Sequence, residues 1–483
     1  MLSRKTVFAT LAAALAAGCT TFVVEERDRA RIAAKASGVA APAAEAGTRR
    51  FPFTRDTGLE QAVRFALANR PSMASARLVV LDARLAVKQA AADAPLASSM
   101  PWNSVHVDAG AGYSESSRAA HHGDFKAKTQ KGDASASLSL DLLVYDFGRW
   151  DARMNELAEN VVAAEQALDR EGCTVFGEVS DAWFALSRDI ALSAVADSNV
   201  VQYASRLAQA QDRFDAGEAQ LLDVLRAKLD LSTAKEAAVA ASNDVAVSEA
   251  KLAYATGLDP AAGAEGSFPL REIRALAPGL DETAAAFAKT SASADELVEF
   301  SATNAPAMKA ARARLRASSA QVDYAVADLR PSFSASVSLN WTDPLWYWRW
   351  GVNAAQSIFT GGRKTAAVER AVAAMLSAEA DFDAQLQTLR RDLELAVAER
   401  DNAAEALATA RDAFRQAEEN LQTVKAQLET GEASRVDFAD AMAGRTSAAA
   451  GIVRAACRGQ SAEAAIYALS GGRPVFIEPE NSK

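Results

Sequence analysis

The chain contains the same pattern twice. "RFALANRPSMASAR" at 64–77 realigns on "EFSATNAPAMKAAR" at 299–312 at a constant offset of 235, matching Phe65 with Phe300, Asn69 with Asn304, Pro71 with Pro306, Met73 with Met308 and Arg77 with Arg312. Further along the offset settles at 214: "YDFGRW" (145–150) faces "FTGGRK" (359–364), "AGEAQLLDVLRA" (216–227) faces "TGEASRVDFADA" (430–441), and Gly257 faces Gly471. Landmarks this far apart at one spacing define a tandem duplication, so the fold must be two copies of one supersecondary unit packed together. The change in offset puts the one large length difference in 95–145 against 331–359.

Those variable segments hold the strands. After Pro331, Phe333, Ala335, Val337, Leu339 and Trp341 alternate with four serines and Asn340, and the return run places Trp346, Trp348, Trp350, Val352 and Ala354 opposite Tyr347, Arg349, Gly351 and Asn353. A period of two means a strand with one apolar and one polar face. The pattern predicts strands over about 332–341 and 346–355 around an Asp343-Pro344 turn, and over about 104–114 and 133–143 in the first copy around a long polar loop. Their length suits a tilted crossing of a bilayer. Four of the seven tryptophans, Trp341, Trp346, Trp348 and Trp350, lie in ten positions of a chain that is 7% aromatic, which predicts an aromatic girdle at a membrane interface. A soluble sandwich would have to pack a second layer on the serine face, and that face is too uniformly polar for it. Four strands alone leave two open edges, which hydrocarbon does not tolerate, so the barrel is expected to be completed by further copies of the chain.

Helices fill the rest. Trp150, Met154, Leu157, Val161, Ala164 and Leu168 step by four and three, and Val368, Val372, Met375, Phe382, Leu386, Leu389 and Leu393 do so in the second copy, the seam of a coiled coil. Long helices are predicted over 149–214 and 363–428, each about 98 Å at 1.5 Å per residue. Gly217 and Gly431 end them, and return helices follow over 218–257 and 432–470. One further helix enters each hairpin, about 58–94 in the first copy. The predicted layout is a first repeat over 58–257, a linker over 258–290, a second repeat over 291–471 and a tail over 472–483.

Residues 1–18 have a basic start at Arg4 and Lys5, a short apolar stretch and small residues before Cys19, the pattern of an export signal. It resembles a bacterial lipoprotein signal, which implies cleavage to leave Cys19 as a lipidated N-terminus of an anchored extension (19–57); Thr20 after it implies outer-membrane sorting. Without the signal the net charge of −10 becomes about −12, which disfavours nucleic acid as a partner. The three histidines, His106, His121 and His122, form no HExxH, and no P-loop, GxSxG or GxGxxG is present. Nothing points to an enzyme, a cofactor or a metal, and Cys173 and Cys457 are expected too far apart to bridge.

The duplicated set of "YDFGRW", "IFTGGRK", "AGEAQLLDVLRA" and "TGEASRVDFADA" resembles the TolC family of outer-membrane efflux ducts across essentially the whole mature chain. The resemblance implies a homotrimer with a 12-stranded barrel, an α-helical periplasmic tunnel, and partnership with an inner-membrane pump through a periplasmic adaptor. It marks Gly148, Arg149, Gly362 and Arg363 as strand-to-helix junctions and Gly217, Asp223 and Gly431 as the entrance turns. Asp437 and Asp440 match paired aspartates that narrow the entrance; Ser434 followed by Asp437 equally resembles a helix-capping pair. The Tyr and Arg that lock the entrance in some members are replaced here by Leu428 and Ala433, so that lock is expected to be absent. A lipid-anchored periplasmic scaffold or adaptor without a pore is the alternative, and it has no need of tryptophan-lined strands.

Overall fold

In a computed structural model, residues 58–92, 105–117, 128–217, 220–257, 293–342, 345–430 and 432–471 are described. All belong to one of two units of the chain, Pro52–Lys483. The signal, Cys19, the extension to residue 57, the linker 258–290, the Asp343-Pro344 turn, His121, His122, Gly431 and the tail lie outside the described residues.

The first repeat runs α1 (Leu59–Asn69), α2 (Pro71–Ala92), β1 (Val105–Ser117), β2 (Lys128–Tyr145), α3 (Arg149–Asp215) and α4 (Leu221–Thr256). The second runs α5 (Ala294–Asn304), α6 (Pro306–Ala327), β3 (Ser332–Thr342), β4 (Leu345–Ala355), α7 (Arg363–Thr430) and α8 (Arg435–Ser470). The long helices have 67 and 68 residues, roughly 100 Å each.

The helix expected to enter each hairpin is two helices instead, broken where the repeat has its proline. Proline has no N–H to donate and pushes the preceding residue out of the α region, and Arg70 (ψ 132°) and Ala305 (ψ 131°) are both extended. The break frees carbonyls at the ends of α1 and α5, and the residues shared by the repeats satisfy them. The Asn69 side-chain amide donates to Phe65 O at 2.9 Å and Arg77 to Leu67 O at 3.1 Å; Asn304 donates to Phe300 O at 3.1 Å and Arg312 to Ala302 O at 2.7 Å. Two smaller differences follow from local geometry. β2 begins at Lys128, five residues before the expected start, because Lys128–Gly132 stay paired with β1. The return helices begin at Leu221 and Arg435, because Gln220 and Ser434 stand as extended N-caps ahead of them.

Each return helix lies end to end with the upper short helix of its own repeat, both packed along the long one. Glycine marks the abutment: a Cβ on Gly257 would stand 3.2 Å from Arg70 Cα, and one on Gly471 would stand 2.5 Å from Pro306 Cδ. α6 packs between α3 and α7, and α8 packs against both α7 and α3, joining the repeats. The seam positions Leu157 of α3 and Leu389 and Leu393 of α7 are buried, as are Val175, Val179, Leu186 and Ile190 further along α3. Much of the remaining core is alanine, as in the cluster of Leu407, Ile452, Ala455 and Ala456, which lets the helices approach closely. Other apolar residues stay uncovered in the single chain: Leu78, Val79, Leu81 and Leu85 on α2, and Leu221, Leu222, Leu225 and Leu229 on α4. Among the described residues, no helix is long and apolar enough to cross a membrane.

The four strands form one antiparallel sheet in the order β1-β2-β3-β4. β2 and β3 join the repeats, with Leu138 opposite Leu339 and Ala136 opposite Trp341. β1 and β4 are its edges. On β4, Trp348 and Trp350 are each 74% exposed and Val352 is 68% exposed, while Trp341 and Trp346 face each other across the β3–β4 pair with ring centres 6.1 Å apart.

Candidate functional site

The two ends of the helical column carry the candidate residues. At the sheet end, each long helix starts from a left-handed turn: Phe147 (φ 57°) and Gly148 (φ 85°) precede α3, and Gly361 (φ 62°) and Gly362 (φ 81°) precede α7. That backbone suits glycine, so Phe147 is strained. It is held by its neighbours, with its ring centre 4.7 Å from Tyr145 and 6.3 Å from Phe333. The buried Asp146 carboxylate accepts the Trp150 N–H at 2.7 Å and so caps the new helix.

Of the four expected junction residues, the structure brings Arg149 into a cluster and leaves Arg363 exposed. Arg149 pairs with Asp328 at 3.2 Å, and Lys364 pairs with the other oxygen of the same carboxylate at 3.2 Å. Lys364 also donates to the Asp328 backbone carbonyl. Trp150 Nε1 donates to Ala90 O at 3.1 Å. The starts of α3 and α7 and the ends of α2 and α6 are thereby tied together around the neck of the column. Sequence reasoning missed Asp328, which lies outside the repeated motifs, and the part played by Lys364, the last residue of FTGGRK, where the first repeat has Trp150; Asp146 lay in view, four residues before Trp150.

At the remote end, Gly217 takes φ 76° where α3 stops, and the Asp223 carboxylate accepts the Gln220 N–H at 3.2 Å. The second turn is built likewise. The Asp437 carboxylate accepts from Ser434 N (2.9 Å) and from Ser434 Oγ (2.6 Å), while Asp437 N donates back to Ser434 Oγ at 3.2 Å. These bonds to the Ser434 hydroxyl and then its N–H hold the Asp437 carboxyl below the usual aspartate range. Asp437 is thus the third-residue partner of the Ser434 cap in a capping box, and it is also exposed. Asp440, one turn on, is exposed too. Ala433 donates its N–H to Gln427 O, which makes it part of the turn.

Between the two turns lies a set of contacts with no sequence signature. Arg206 of α3 is 3.7 Å from Asp230 of α4, and its guanidinium lies over the Phe438 ring of α8 at 5.8 Å. Thr446 Oγ1 of α8 is 3.1 Å from Asn199 Oδ1 of α3. The Tyr203 hydroxyl is raised above its ordinary pKa by burial first, then by the charges of Asp230 and Asp440. Arg206 and Asn199 therefore hold the start of α8 against the first hairpin. Among the described residues no group of His, Cys, Asp and Glu could hold a metal. Burial pushes the Cys457 thiol up to about 11, and Cys173 and Cys457 are both free.

Helical columns of this length, ending in a small sheet that exposes tryptophan and has two open edges, define the class of outer-membrane channels with a helical tunnel. The chain belongs to the outer membrane efflux protein family, whose model matches residues 62–258 and 297–472. Family membership makes this a transport channel chain of the TolC type, with no enzymatic role in the family. In fold it is similar to a membrane protein from Pseudomonas aeruginosa (TM-score 0.70, 21% identity, covering 86% of this chain and 94% of that one). It is similar also to the outer membrane protein VceC from Vibrio cholerae (TM-score 0.68, 18% identity, 86% and 96%), and to the Campylobacter jejuni CmeC outer membrane channel (TM-score 0.68, 14% identity, 86% and 85%). No curated protein sequence matches the chain.

Proposed function

We propose that three copies of this chain close a 12-stranded barrel over an α-helical periplasmic tunnel, forming a passive duct for efflux or secretion. The observation that carries this reading is the sheet: four strands with free edges at β1 and β4 and an outward row of exposed tryptophans. Unpaired backbone in hydrocarbon costs several kcal/mol per group, so the edges need partners, and further copies supply them symmetrically. The uncovered apolar faces of α2 and α4 would be buried by the same assembly. In this account Cys19 carries lipid and anchors the protein to the outer membrane. An inner-membrane pump engages the remote end through a periplasmic adaptor and supplies the energy.

The entrance lies at the turns around Gly217 and Gly431. Arg206, Asp230, Phe438, Asn199 and Thr446 hold it narrow, a role that the absent lock of Leu428 and Ala433 leaves open. Asp437 and Asp440, each present three times, would form acidic rings that favour cations, since charge acts over longer range where walls exclude water. A pore-free scaffold gains nothing from exposed tryptophans on a sheet. The test is conductance of the purified protein in planar bilayers under a salt gradient. Discrete steps with cation preference, weakened in Asp437→Asn with Asp440→Asn, support the duct; no steps from protein inserted in the bilayer would leave the scaffold.

A further inference from the structure

We infer that β4 of one protomer pairs with β1 of the next in one register, with Ala354 opposite Ala109, Val352 opposite Ala111 and Trp350 opposite Tyr113 of the neighbour. This rests on the trimer proposed above and adds to it the residues that make the seam.

The register follows from the duplication. Helix starts Arg149 and Arg363 set the repeats 214 residues apart, which carries Ala136 of β2 onto Trp350 of β4 and Leu140 onto Ala354. Within the hairpins, Ala109 is opposite Ala136 and Val337 is opposite Trp350, so β1 and β3 correspond at an offset of 228. The one seam between repeats inside the chain is β2 against β3: Leu140 opposite Val337, Leu138 opposite Leu339, Ala136 opposite Trp341. Moving both strands by their own offsets turns this seam into β4 against β1 and gives the three pairs above.

Two observations agree with it independently. A slip of one residue would turn the apolar face of one strand toward the polar face of the other. In the inferred register, the apolar alternation of β4 (even positions) meets that of β1 (odd positions), and on the polar face Gly351 meets Gly112 and Asn353 meets Gly110. The second observation is Phe359, 89% exposed, beside Ile358, 95% exposed. Phe359 corresponds to Tyr145, which is opposite Phe333 within the chain; the same shift sets Phe359 beside Val105 of the next protomer, so the seam gives this uncovered aromatic a neighbour.

What remains open to slippage is a shift by two, which keeps the faces matched, and cysteine pairs resolve it. In the full chain with Cys173→Ala and Cys457→Ala, the pairs Ala354→Cys with Ala109→Cys and Asn353→Cys with Gly110→Cys are oxidised in detergent and run on a denaturing gel, beside the background alone. Adjacent pairs are used because one of the two is the closer, non-hydrogen-bonded kind. The slipped pairs are Ala354→Cys with Ala111→Cys and Ala354→Cys with Val107→Cys. Covalent dimers and trimers from an in-register pair, several times stronger than from either slipped pair, are expected. A trimeric mass with a slipped pair linked best, or with none linked, overturns the register and leaves the trimer; a monomeric mass with none linked overturns the trimer itself.

Discussion

Gly471 lies directly against Pro306: a Cβ there would stand 2.5 Å from the proline Cδ and 2.8 Å from Ala305 Cα, and the glycine has φ +70°. Its counterpart Gly257 has φ +78° and a nearest contact of 3.2 Å to Arg70 Cα. Both positions reject a side chain on backbone grounds, and Gly471 rejects it also on space. Gly471→Ala is expected to destabilise by about 1–3 kcal/mol from overpacking, more than Gly257→Ala, as read by thermal unfolding in detergent. Equal effects would mean that backbone conformation alone sets the requirement.

At the neck, Asp328 accepts both Arg149 and Lys364. The groups are about one-fifth to one-third exposed, so solvent screening limits each pair to about 0.5–1 kcal/mol. A double-mutant cycle on Asp328→Asn and Lys364→Met should show coupling of that size in thermal stability, with no coupling between Asp328→Asn and a change at the exposed Arg363.

Arg206→Ala removes both the Asp230 pair and the stack on Phe438. If these contacts narrow the entrance, single-channel conductance should rise severalfold with cation preference kept. Thr446→Val, which removes the bond to Asn199, should act in the same direction and more weakly. Unchanged conductance in both would assign the closure to contacts elsewhere.

The capping box of Ser434 and Asp437 sets a pH dependence. Because Ser434 holds the folded carboxyl below its ordinary value, the unfolded chain takes up that proton first as pH falls. The stabilisation is fully present above the unfolded aspartate pKa of about 3.9 and is lost as pH falls through the lower folded value. The difference in melting temperature between the wild type and Asp437→Asn should therefore be constant from neutral pH to about 5, then shrink in more acid solution. A difference that grows on acidification contradicts the sign.

Most of the architecture was legible because it is periodic and stated twice. The strands showed in alternation and the long helices in the absence of proline from 149 to 215, with the first of them stopping at Gly217; the return helices start at Leu221 and Arg435, three residues past the expected 218 and 432, because extended caps precede them. The break at Pro71 and Pro306 was visible as residues and not as structure: a helical pattern continues across it, and the geometry appears in the extended Arg70 and Ala305. The candidate site divides in the same way. Gly148, Arg149 and Asp437 sit inside repeated motifs. Lys364 and Phe438 sit inside them too, but they meet Asp328 and Arg206, which do not, by tertiary packing across 36 and 232 positions, and no local spacing encodes such a meeting.

The central claim is that three chains share one barrel. Its most direct measurement is the protein mass of the purified, detergent-solubilised complex, corrected for bound detergent. Three chains per complex is the predicted result. A monomer that stays folded and soluble with no detergent would contradict it, because a sheet with two open edges and a bare tryptophan face would then have no need of a membrane or of neighbours.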